Sequence, residues 1–149
     1  MQKATHLAMG LYIFVFLERL FFEENRLVLF LLVFIGTLFP DIDIITSTLG
    51  RKFKIVGEVF KHRGFIHSIY PLILLSLLVH AIWNNYFYTI AFASAYFFHL
   101  VLDAFTKMGI KPLWIGPKIR GFTKTGSVVD KFLFVFLIVI SILMLFNII

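Results

Sequence analysis

The longest stretches of this chain without a charged residue are 7–17, 27–39, 65–102 and 132–149. A helix needs about 20 mostly apolar residues to cross a bilayer. The third stretch is long enough for two helices, with Asn84-Asn85 as a polar turn between Trp83 and Tyr86. The first two are short, so the first must run on through Glu18 and Arg19 to about Phe22, and both can tilt or shelter behind their neighbours. Composition agrees: 60% of residues are hydrophobic and 20 are phenylalanine, against about 45–50% apolar in soluble domains. The expectation is an all-α, polytopic integral membrane bundle of about five transmembrane helices, occupying 1–149 as one domain.

The N-terminal MQKATHLAMG has one cation ahead of its apolar run, and LERLFFEENR follows in place of a small-residue cleavage site. A retained membrane segment is expected rather than a cleaved signal. The absence of cysteine removes disulfides, thiolate ligands and a cysteine nucleophile.

Orientation follows from the cations, since short cytoplasmic loops collect lysine and arginine. Arg51, Lys52, Lys54, Lys61 and Arg63 lie in one loop, and Lys107, Lys111, Lys118, Arg120, Lys124 and Lys131 in another. The opposite turns offer only Arg26, beside two glutamates. Five spans alternate correctly when the N-terminus and both basic loops are cytoplasmic. A multi-pass protein of the inner or plasma membrane is expected, with its +6 net charge on the cytoplasmic side, facing membrane lipids. A basic face is accounted for by topology, and no nucleic-acid partner is expected.

That topology collects the unusual polar residues. His6 precedes the first span; Asp41 and Asp43, in FPDIDI, close the second; His62 and His67 flank the start of the third; His99 and Asp103 close the fourth; Asp130 precedes the fifth. Only His80, beside Trp83, stands at the other end, where an ordinary interfacial role is expected. His99 and Asp103 are four apart and share a helical face. Asp41 and Asp43 are two apart and share one side of an extended segment, which Pro40 favours by ending the helix. Gly64 permits a turn with His62 on the loop and His67 in the first turn of the helix. Each pattern alone has an ordinary reading: a His–Asp hydrogen bond inside a bundle, solvated turn aspartates, a basic interfacial flank. Their convergence on one face points to a site.

Imidazole with carboxylate suits a divalent transition metal, with zinc first and manganese second, rather than magnesium or calcium. The expected metal ligands are His6, Asp41, His67, His99 and Asp103. His62 and Asp43 complete or bridge the set as catalytic residues, and Arg63 faces a phosphate, with Lys61 or Arg120 as further cations. Such a metal activates water and polarises the bond attacked.

These residues resemble a family of small inner-membrane proteins regarded as metal-dependent hydrolases, one bacterial member of which is associated with LexA regulation. The resemblance rests on TH at Thr5-His6, PDID at 40–43, HRGxxHS at 62–68, HLxLDxxTxxG at 99–109, IGP at 115–117 and GSVVD at 126–130. It runs from residue 5 to about 131 and implies a membrane-embedded hydrolase. A looser likeness is to the zinc-dependent phospholipase C and P1-nuclease group, whose ligand order His6, Asp41, His62 or His67, His99 and Asp103 follow. This chain has no histidine after His99; in that comparison Asp130 stands in for a late acidic ligand.

The expected function is a membrane-bound metal-dependent hydrolase cleaving a phosphoester of a lipid or similar amphipathic substrate at the cytoplasmic face. The alternatives are a metal- or proton-handling transporter and a non-catalytic metal-binding membrane protein. A pathway needs polar groups at several depths, whereas Glu18, Ser76, Ser94 and His80 are nearly all that the spans contain. No Walker loop, GxSxG, HExxH or dinucleotide fingerprint is present.

Overall fold

A computed structural model describes residues 1–21, 25–43 and 64–148, with the side chains of Ile42 and Asp43 excepted. The described residues form an all-helical protein with no strand. Its helices are α1 (Lys3–Leu20), α2 (Arg26–Leu38), α3 (Ile69–Trp83), α4 (Tyr86–Ala104) and α5 (Val128–Leu145), with a 3-10 turn, Phe39–Asp43, extending α2. Two of them, α4 and α5, are long and apolar enough to cross a membrane; α3 is apolar but shorter.

The expected boundaries hold at three places. Helix α1 runs on through Glu18 and Arg19, and Arg26, the first residue of α2, reaches Glu18 at 2.8 Å. Asn25 caps α2 by accepting from the backbone N–H groups of Leu27 and Val28 at 3.0 and 3.2 Å, the usual service of asparagine at a helix start. The long third stretch breaks where expected: Asn84 takes the left-handed conformation (φ 46°) that ends α3, and Asn85 caps α4.

The segment after Pro40 departs from expectation. Asp41 and Asp43 lie on the 3-10 turn, not on an extended strand-like segment. Proline has no N–H to continue the α-helical ladder, yet its fixed φ is compatible with a tighter helical turn.

Helix α4 is central, packing against α1, α2 and α3, while α1 also packs against α2 and α5. Small residues permit the closest crossings. A Cβ at Gly36 would stand 2.8 Å from the Phe92 carbonyl oxygen and 3.1 Å from the Ala95 Cβ, so α2 meets α4 nearly backbone to backbone. The core around this crossing is Leu29, Leu32, Val33, Ala91, Phe92 and Tyr96. The exterior is apolar too: Leu74, Leu77, Phe132 and Phe136 are all exposed. An apolar surface of this extent belongs in a lipid environment.

Gly36→Ala is therefore expected to cost about 1–3 kcal/mol by overpacking. Thermal unfolding in detergent, followed by circular dichroism, should show a lowered midpoint; an unchanged midpoint would contradict the close α2–α4 crossing.

Candidate metal centre

One end of the bundle gathers buried polar side chains, and the connections there explain why. Antiparallel helices bring the start of α1, the end of α2, the approach to α3 and the end of α4 to one level. His6, in the first turns of α1, His67, just before α3, and His99 and Asp103, on the last turns of α4, are all buried; Asp41, on the 3-10 turn, is partly so.

His6 Nε2 lies 3.3 Å from Asp103 Oδ1, His67 Nε2 lies 3.5 Å from Asp103 Oδ2, and His99 Nε2 lies 3.6 Å from Asp41 Oδ1. The rings of His6 and His99 stack with centroids 3.9 Å apart, and His67 meets His99 edge-on at 5.6 Å. Two triads of ligand atoms result, His6–His99–Asp103 and Asp41–His67–His99, each within 4.8 Å of one another. Four ligands at about 2.0–2.1 Å from a tetrahedral zinc stand about 3.3–3.4 Å apart, close to the separations observed. The amine of Met1 also reaches the cluster, contacting Asp103 Oδ1 and His6.

The donor chemistry fits a cation. His99 Nδ1 lies 2.7 Å from the Thr37 carbonyl oxygen. A carbonyl only accepts, so Nδ1 carries the proton, and in the neutral ring Nε2 keeps its lone pair. That Nε2 is buried and has no hydrogen-bond partner among the described residues. A polar atom left in this way costs about 1–3 kcal/mol, and a ring held through its other nitrogen by a carbonyl is the usual setting of a metal-ligating histidine. With Nδ1 occupied, His99 can serve a single ion. Asp103 presents one oxygen toward His6 and the other toward His67, and can serve one ion or span two.

The approach to His67 is fixed by local bonds. Ser68 donates its hydroxyl to the Phe65 carbonyl at 2.6 Å, Tyr96 donates to the Ile66 carbonyl at 2.6 Å, and the Ile69 N–H donates to Pro112 at 2.8 Å. His67 consequently sits in a turn ahead of α3, not in its first helical turn as the sequence suggested.

All five residues expected as ligands, His6, Asp41, His67, His99 and Asp103, thus come together. His62 and Arg63, with Lys61, lie outside the described residues, as does the side chain of Asp43; Arg120 is exposed. His80 stays at the far end, 3.2 Å from the Thr89 hydroxyl and against the Tyr86 ring. Asp130 is buried near the cluster with a different task. Its carboxylate accepts from the Gln2 N–H at 3.0 Å, the Thr5 hydroxyl at 2.6 Å and the Gly126 N–H at 2.7 Å. It holds the start of α1, and with it His6, against the start of α5. The sequence reading missed Thr37, whose carbonyl is what matters, and a backbone carbonyl leaves no residue-type signal.

The description that fits this chain is that of the YdjM inner membrane protein family, whose model matches residues 1–148. The chain belongs to that family, as the motifs suggested. It is 38% identical over 108 residues to the uncharacterized protein YvsG of Bacillus subtilis (strain 168), an alignment covering 62% of each chain. This chain therefore spans less than two thirds of that relative's length. No solved structure matches it.

Asp130→Ala would leave three donors without their acceptor, each loss costing about 1–3 kcal/mol when buried. Hydrogen exchange should accelerate at residues 2–8, while α3 and α4 keep their protection. Unchanged exchange at the start of α1 would contradict the clamp.

Proposed function

We propose that this member of the YdjM inner membrane protein family is a multi-pass, metal-dependent hydrolase acting at the cytoplasmic face on a phosphoester of a lipid or similar amphipathic molecule. The observation that carries the reading is the convergence of three imidazoles and two carboxylates around an oriented His99 whose Nε2 has no hydrogen-bond partner among the described residues.

His6, Asp41, His67, His99 and Asp103 would hold one or two divalent transition ions, zinc first and manganese second. When bound, such a metal lowers the proton affinity of water and withdraws charge from a phosphoryl group. Thr37 fixes the tautomer of His99, and Asp130 holds His6 in place through Thr5 and Gln2. In this reading Arg63, helped by Lys61 or Arg120, would supply the cation for the phosphate, and His62 and Asp43 would move protons or complete the ligand set.

All five helices are proposed to cross the membrane, with the N-terminus and both basic loops in the cytoplasm. The site residues then lie on the side where Lys107, Lys111, Lys118, Arg120 and Lys124 collect, as the positive-inside tendency requires. Surface chemistry is favoured over transport by depth. Among the described residues, only Ser76 and Ser141 of the buried polar side chains lie away from this end of the bundle.

Metal content by mass spectrometry on detergent-purified protein is the test. Wild type and His80→Ala should carry one to two equivalents of zinc or manganese, and His67→Ala and His99→Ala should lose it. Hydrolysis of lipid phosphates should fall by at least about 100-fold in the latter two, more than is usual on losing an outer-shell partner. Protein that stays metal-free after reconstitution with either ion would refute the reading. Metal without hydrolysis of any lipid phosphate would refute the substrate class.

A further inference from the structure

An apolar cleft of about 200 Å³ lies between α1 and α2, and its lining includes Leu7 and Thr37, the immediate neighbours of the cluster. On α1 the cleft is walled by Leu7, Gly10, Leu11 and Phe14. On α2 its walls are Phe30, Val33, Phe34 and Thr37. Because the helices run antiparallel, both walls begin at the cluster. Leu7 directly follows His6, and Thr37 is the residue whose carbonyl holds His99. The far end is closed by Phe14 and Phe30, edge to face with centroids 5.5 Å apart. At a rise of ~1.5 Å per residue, the cleft runs roughly 10 Å from Leu7 to Phe14.

Its shape and chemistry limit what can enter. The Thr37 hydroxyl is turned onto the Val33 carbonyl at 2.8 Å, so even the polar residue presents an apolar surface. A helix with its side chains is about 10–12 Å across and does not fit a volume of this size, whereas a single hydrocarbon chain does. Gly10 lines the cleft where α1 and α2 approach most closely: a Cβ there would stand 2.6 Å from Thr37 Oγ1.

We propose that this cleft binds the hydrocarbon chain of the substrate, so that a single-chain amphipathic phosphoester lies along α1 and α2 with its headgroup at His6, His99 and Asp103. The headgroup assignment rests on the hydrolase reading above; the chain site rests on the cleft itself. The bilayer supplies such a molecule laterally, and its chain sets the depth at which the phosphoester meets the imidazoles.

The test is photolabelling of the full chain in phosphatidylcholine nanodiscs by dodecyl phosphate bearing a diazirine near its chain end. Metal content is measured on the same samples. Label is expected on Leu11, Phe14, Phe30 or Phe34. It should be displaced by unlabelled dodecyl phosphate but not by inorganic phosphate, and should fall about tenfold, a discrimination within reach of one packed side chain, in Leu11→Trp, which fills the cleft and keeps its metal. The displacement arm needs no variant, so it stands even when Leu11→Trp fails to fold. Label spread over the exposed faces of α3 and α5 would overturn the proposal. So would label confined to the larger apolar slot at Phe98, Leu102 and Phe132, or undiminished label in a folded Leu11→Trp. Cleft labelling of protein that binds no metal would keep the chain site and remove the hydrolase reading. Metal bound with label elsewhere would do the reverse.

Discussion

The contact between His99 Nδ1 and the Thr37 carbonyl is the interaction on which the arrangement depends. It joins the last turns of α4 and α2 at 2.7 Å, and it is available because carbonyls in the last turn of a helix leave the regular ladder. Pro40, three residues on, removes one of the N–H groups that would have continued that ladder. The tighter turn that carries Pro40 thus leaves an acceptor on α2 for an imidazole on α4. Aligning that imidazole directs its other nitrogen toward Asp41, and the His6 ring stacks on it.

Close packing supports this contact from below. Gly36 precedes Thr37 and lets α2 lie against the Phe92 and Ala95 backbone of α4; Gly10 does the same for α1 against Thr37. Without large side chains at these positions, three helices converge beneath the cluster. Lipid tails are as apolar as leucine, so helix association in membranes relies on close packing and on polar contacts. Here the glycines supply the first and the histidine end supplies the second.

The chain's pattern made much of this legible. Uncharged runs gave the helices, the Asn84-Asn85 pair gave the break between α3 and α4, and the i,i+4 spacing of His99 and Asp103 gave one shared face. What it concealed was local geometry and long-range pairing. The backbone at Phe39–Asp43 is a 3-10 turn, where an extended segment was expected. His67 is held outside its helix by Tyr96 and Ser68, two bonds that no spacing rule predicts. Asp130 read as a spare carboxylate ligand because acidity near a cluster looks the same whether it faces a cation or three hydrogen-bond donors. Only the positions of Gln2, Thr5 and Gly126 distinguish the two.

The cluster draws on residues 6, 41, 67, 99 and 103, and Asp130 clamps the first of them from beyond the last. Thr5 and Asp130 are 125 residues apart along the chain, and contacts between distant residues reward the chain only after the loop between them is closed. Organising the centre is thereby tied to the docking of α1 against α5: the two ends of the described chain must meet before His6 is held in place.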